Sequence, residues 1–115
     1  MAIDLQRIVL FVSDMEKEAA FYREKLGLRV SEEREGWIEF DAGSCRIALH
    51  RGKRKPRLDF ASEEALEETC ESLRARGLRL GDIKPHPVHD LSVTGGKDPE
   101  GNPFRISGPT AAGSD

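Results

Sequence analysis

Cysteine is scarce in this chain. Only Cys45 and Cys70 occur, neither in C-x-x-C spacing, and two such residues read as reduced thiols rather than a disulfide framework. The opening Met1-Ala2-Ile3-Asp4-Leu5-Gln6-Arg7 lacks the basic start and long apolar segment of a secretory leader, so a cytoplasmic location is expected. No apolar run approaches the roughly 20 residues that a membrane span requires. There is no basic excess either. The net charge is −3 although 34% of residues are charged, which leaves no electrostatic footprint for nucleic acid. What remains is a chain of 115 residues, long enough for one domain with a real core, expected over 1–110 with a fraying tail at 111–115.

Hydrophobic patterning supplies the organisation. Ile8, Leu10 and Val12 alternate with Arg7, Val9 and Phe11, which predicts a strand over 5–13. Ser13 or Asp14 then caps a helix with Glu16 and Glu18 in its first turn, an apolar stripe of Ala19, Phe21, Tyr22 and Leu26, and Gly27 as its stop. Strands are expected over 28–34, 37–41 and 45–50, turning at Glu35-Gly36 and Ala42-Gly43-Ser44. The basic run Arg51-Gly52-Lys53-Arg54-Lys55-Pro56 reads as a solvated connector, with a phosphate-binding patch as the other reading.

The second half repeats this order. A short strand at 57–61 leads to a helix capped by Ser62 that carries Leu66, Cys70 and Leu73 and ends at Gly77. Strands at 78–80, 91–94 and 103–107 follow, with an irregular loop at 81–90 where Pro85 and Pro87 interrupt the chain. The expected architecture is α+β: two βαβββ modules, about 3–50 and 57–108, forming a curved incomplete barrel.

The closing turn is the most informative stretch. In Asp98-Pro99-Glu100-Gly101-Asn102, Pro99 presets φ, Gly101 and Asn102 tolerate positive φ, and the Asp98 side chain can bond amides ahead of it. With the strand Pro103-Phe104-Arg105-Ile106, it resembles the closing hairpin of the vicinal-oxygen-chelate superfamily: glyoxalase I, extradiol dioxygenases, and the fosfomycin- and bleomycin-resistance proteins. The stretch from Ile8 to Glu18, then Phe21-Tyr22 and Leu26-Gly27-Leu28, is similar to that family's opening signature. Glu64-Ala65-Leu66 through Leu73-Arg74-Ala75-Arg76-Gly77 is similar to its second helix.

The resemblance also exposes a departure. Metal-using members carry histidine or glutamate on the cavity side of four strands. The corresponding positions here are Arg7, Arg57, Arg105, and Ala48 or, with the register slipped by two, His50. A guanidinium has five donors and no lone pair to offer, and its pKa above about 12 keeps it protonated, so it cannot ligate a divalent cation. Zinc or iron needs imidazole, thiolate or carboxylate. No cofactor is therefore expected. Three converging cations need partners, either carboxylates such as Asp59 and Glu39 or a bound anion.

The expected function is a superfamily member without the usual metal, holding a small, anionic organic molecule at Arg7, Arg57, Arg105, Phe11, His50 and Trp37. Phe11 shares the Arg7 face; Trp37 is either pocket wall or core. The resemblance implies a homodimer. The alternative is a lyase, isomerase or dioxygenase-type enzyme with an atypical metal set drawn from His50, His86 and His89, or with metal-free acid–base chemistry. Cys70 reads as a core residue, and Cys45 has no base beside it. Gly95-Gly96-Lys97 lacks the phosphate-loop frame and reads as a flexible turn.

Overall fold

Alternation of apolar and polar residues places eight strands and two helices along the chain. The structure, a computed structural model, describes residues 3–111; most of the expected tail lies outside that range. The strands are β1 (Ile3–Val12), β2 (Val30–Arg34), β3 (Trp37–Asp41), β4 (Arg46–Arg51), β5 (Arg57–Ser62), β6 (Lys84–Pro85), β7 (Ser92–Lys97) and β8 (Pro103–Gly108). The helices are α1 (Met15–Ala20) and α2 (Leu66–Ala75). This is the expected α+β succession of two βαβββ modules. Contacts divide the chain into a first compact unit, Gln6–Leu58, and a second that takes the residues up to Leu5 and those from Asp59 onward.

In the first unit the strand order is β2-β3-β4-β1. β1 runs parallel to β4, pairing Arg7 with Arg46, Val9 with Ala48 and Phe11 with His50. β3 runs antiparallel to β4, pairing Trp37 with His50, Glu39 with Ala48 and Asp41 with Arg46. Side chains alternate across a strand, so the register creates two chemically different faces. Met15 and Ala19 of α1 cover one face with Ile38, Phe40 and Leu49, and Leu10, Val12 and Tyr22 pack at its margin. The other face gathers Val9, Trp37, Ala48 and Phe11.

Asp14 is the cap of α1; its Oδ1 accepts the Lys17 amide at 3.0 Å. The expected apolar stripe is corrected. After Ala20 the chain winds as a π-helical turn over Phe21–Lys25, closed by the Leu26 amide on the Phe21 carbonyl. Met15, Ala19 and Tyr22 keep the helical i, i+4, i+7 spacing, and the wider winding begins only at Phe21. Those three residues therefore meet the core, while Phe21 is 46% exposed and Leu26 is exposed as well. Gly27 ends the segment as expected: its φ of +71° is a left-handed conformation that Cβ-bearing residues resist.

In the second unit the order is β5-β8-β7-β6. β7 pairs antiparallel with β8, and Lys84 and Pro85 of β6 face Val93 and Ser92 of β7. Leu66, Cys70 and Leu73 of α2 pack with Ile106, and Ile3, Phe60, Leu78, Leu80, Ile83 and Phe104 surround them. Three expectations are corrected here. Ser62 does not cap α2. It ends β5, buried, with its hydroxyl engaged by Thr69 Oγ1 at 2.6 Å and the Glu64 carbonyl, so the helix starts later, at Leu66. Residues 78–80 form no strand, because Leu78 and Leu80 serve the core from irregular backbone, and the short strand comes at Lys84–Pro85 instead. Gly95-Gly96 is not a turn but the middle of β7, opposite Arg105 and Phe104.

The closing turn behaves as its residues require, with one exception. Asp98 Oδ1 accepts the amides of Glu100 and Asn102 at 3.0 and 2.8 Å, and Asn102 Nδ2 donates to Oδ2 at 2.9 Å. These bonds, led by the Asn102 side chain, hold the Asp98 carboxyl below its ordinary range. Gly101 takes φ of +87°, but Asn102 does not adopt positive φ; its contribution is the side-chain amide on Asp98.

Candidate functional site

The face of the first unit opposite α1 is built in three rows by strand register. The first row sets Arg7 of β1 beside Arg46 of β4, with Asp41 of β3 next to Arg46. The second sets Val9 beside Ala48 and Glu39. The third sets Phe11 beside His50 and Trp37. Arg7, Phe11, Trp37 and His50, four of the expected site residues, thus share one surface.

Burial makes the second row electrostatically demanding. Glu39 is 3% exposed, and a carboxylate there needs compensation. Arg7 Nε lies 3.1 Å from Glu39 Oε1 and Arg46 Nη1 lies 3.4 Å from Oε2. The Arg7 approach is an ion pair rather than a well-aligned hydrogen bond. Arg7 therefore spends its charge on Glu39, two strands away across β4, which is the carboxylate option of the sequence reading.

The third row is aromatic and rimmed by cations. The His50 ring sits 5.2 Å from Phe11 and 5.7 Å, edge-on, from Trp37. Arg34 of β2 stacks over Trp37 with its Cζ 4.7 Å from the ring centre. Arg54 of the connector and Arg57 of β5 stand 5.8 and 5.9 Å over Phe11. The connector is thus more than a solvated link. Trp37 is 6% exposed, and its indole Nε1 is buried with no hydrogen-bond partner. An unsatisfied buried N–H is costly and needs an explanation. His50 is exposed and donates Nδ1–H to the Arg51 carbonyl at 2.8 Å, so in the neutral ring Nε2 keeps its lone pair.

Arg105 lies in the second unit. Its Nη2 is 3.5 Å from Oδ2 of Asp59, a carboxylate that is almost fully buried. Asp59 and Glu39, the two partners that the charge argument required, each engage one of the arginines.

The family's metal was tested against these residues. Arg7, Arg57 and Arg105 offer no lone pair, Ala48 offers no donor, and His50 is a single imidazole. They do not fit a divalent ion. Among the described residues no three His, Cys, Asp or Glu side chains are grouped so as to hold one. His86 commits Nδ1 to the amides of Val88 and His89, both at 3.0 Å, in the role of a turn-forming acceptor. Burial pushes the Cys70 thiol up from its ordinary value of 9.0, which makes it an inert core residue. Cys45 is partly exposed, with its Sγ near the Arg46 carbonyl.

Sequence reasoning missed Arg34 and Arg46, and placed Arg54 only within a connector or phosphate patch. Arg46 was within reach, since it alternates with Ala48 and His50. The other two reach the rings across strand or connector geometry that no period encodes.

Solved structures share this fold at low identity. A hypothetical protein from Bacillus halodurans C-125 matches with a TM-score of 0.77 and 14% identity over all of both chains. Methylmalonyl-CoA epimerase from Mycobacterium tuberculosis gives 0.70 and 19%, over 92% of this chain and 87% of its own. A glyoxalase/bleomycin resistance protein/dioxygenase superfamily member from Vibrio splendidus 12B01 gives 0.68 and 14%, over 93% and 98%. At these identities the likeness establishes the fold alone. A search among curated proteins finds no match. The family model described as Glyoxalase/Bleomycin resistance protein/Dioxygenase superfamily matches residues 4–106. The chain belongs to that superfamily.

Proposed function

We propose that this protein is a metal-free binding member of its superfamily, and that the face of its first unit opposite α1 takes a planar organic anion. The observation that carries the reading is the buried Trp37 Nε1 with no acceptor, set among aromatic rings and beneath Arg34. A carboxylate oxygen would satisfy that N–H, and Arg54 and Arg57 over Phe11, with Arg34 held by Glu32 over Trp37, make the rim richer in cations than in anions. The flat surfaces of Phe11 and His50 suit an aromatic body. The donor chemistry at Arg7, Arg57 and Arg105 supports a role without a bound metal.

A thermal-shift panel of aryl carboxylates, each beside its neutral amide, tests this. At a concentration 100-fold above Kd, a carboxylate stabilises the fold by about 2.7 kcal/mol, whereas the amides have little effect. Arg34→Ala weakens binding about fivefold, the loss of one partly exposed cation over a ring. Equal shifts for acids and amides, or an Arg34→Ala protein that responds like the parent, would contradict the reading.

We also propose that the protein works as a homodimer. Leu5 and Leu58 leave apolar surface exposed on strands. Light scattering is expected to give twice the 12.8 kDa chain mass at micromolar concentration; a uniform monomer would rule the dimer out.

A further inference from the structure

The second unit holds a cavity that the proposed anion face does not use. Its volume is about 510 Å³, within the range of small-molecule sites. Ile3, Phe60, Phe104 and Ile106 form apolar walls, and Arg79 and Lys97 complete the lining. The walls belong to the side of the module that packs with α2, and Asp59 is not among the lining residues.

Two cations and one carboxylate stand at the rim. Arg79 and Lys97 are both exposed, and neither has a carboxylate partner among the described residues. Asp98 also borders the cavity, but its carboxylate is turned into its own loop, where it accepts the Glu100 and Asn102 amides and the Asn102 side chain. An apolar hollow edged by two uncommitted cations complements one chemistry: a hydrocarbon body ending in an anion. We propose that this cavity binds a small amphipathic carboxylate, with its chain against Phe60, Phe104 and Ile106 and its carboxylate between Arg79 and Lys97. The guanidinium fork of Arg79 suits a carboxylate in two-point contact.

The test is a methyl-resolved NMR titration with sodium octanoate, with 1-octanol as the neutral control. Octanoate is expected to give saturable shifts at Ile3, Leu78 and Ile106, and octanol to bind at least tenfold more weakly. Arg79→Glu/Lys97→Glu is expected to weaken octanoate at least tenfold and leave octanol unchanged. Should that variant misfold, Arg79→Gln/Lys97→Gln replaces it, with the same expectation. Shifts that are absent, that are equal for acid and alcohol, or that survive both double variants overturn the proposal. So do shifts confined to Val9 and Ala48, the methyl-bearing neighbours of Trp37 and Phe11. Movement of Ile3, Leu78 and Ile106 on dilution, without octanoate, would assign the hollow to a second copy of the chain and overturn it as well.

Discussion

Glu39→Ala is expected to destabilise the fold by about 3–5 kcal/mol, the usual cost of removing one partner from a buried ion pair. Glu39 is 3% exposed and the Arg7 side chain 11%, so neither charge can recover its hydration when the other is lost. Arg46 is different. Its side chain is 43% exposed, water screens its contact with Glu39, and Arg46→Ala costs about 0–1 kcal/mol. The asymmetry is the diagnostic. Urea denaturation should show a much lower midpoint for Glu39→Ala at unchanged slope, and a nearly normal one for Arg46→Ala. Replacing both members, as Arg7→Met/Glu39→Leu, should recover much of the loss, because an apolar pair of similar volume removes the desolvation cost. A Glu39→Ala midpoint equal to that of the parent would mean that the charge pair is not the element holding this face.

The second large effect lies on the opposite face. Phe40 is fully buried between α1 and the sheet, beside Leu49 and Ile38, with Tyr22 stacked 5.8 Å away. Phe40→Ala removes the ring and leaves a void that close-packed neighbours refill only in part, for an expected loss of about 3–5 kcal/mol. Phe21→Ala is the matched control. Phe21 adjoins Tyr22 in sequence and so points about 100° away from it around the helix, outside the core. Its removal is expected to cost no more than about 0.5 kcal/mol. Comparable losses at the two positions, measured by thermal or urea unfolding, would contradict the packing described for α1.

The same contrast shows where the sequence was legible. Period-two alternation around Ile8–Val12 and Trp37–Asp41, together with Asp14 as a cap, was enough to order the first module. It also put Phe11 on the Arg7 face, because strand parity is rigid, whereas Ala48 or His50 joined them only through the family resemblance. The helix stripe failed for a physical reason. Phe21 and Tyr22 are adjacent, about 100° apart around a helix, so they could not both face the core, and the π-turn that precedes Leu26 leaves no compositional trace. Ser62-Glu63-Glu64 looked like a helix start because serine followed by acids is a good cap, but in the fold that hydroxyl serves Thr69. β6 is two residues long and contains Pro85, too short to show any alternation. For the site, carboxylate partners for Arg7 and Arg105 followed from the cost of burying like charges. The stacking of Arg34 and Arg54 did not, since long side chains choose their rings by tertiary position.

Trp37 is the only tryptophan, so its indole N–H gives a single resolved NMR signal. Titrating benzoate into protein held in excess chelator tests most directly whether that buried donor awaits an anion. The account predicts a saturable downfield movement of this one resonance, matched by neither benzamide nor chloride. A resonance that stays fixed, or that moves only after a divalent metal is restored, would contradict it.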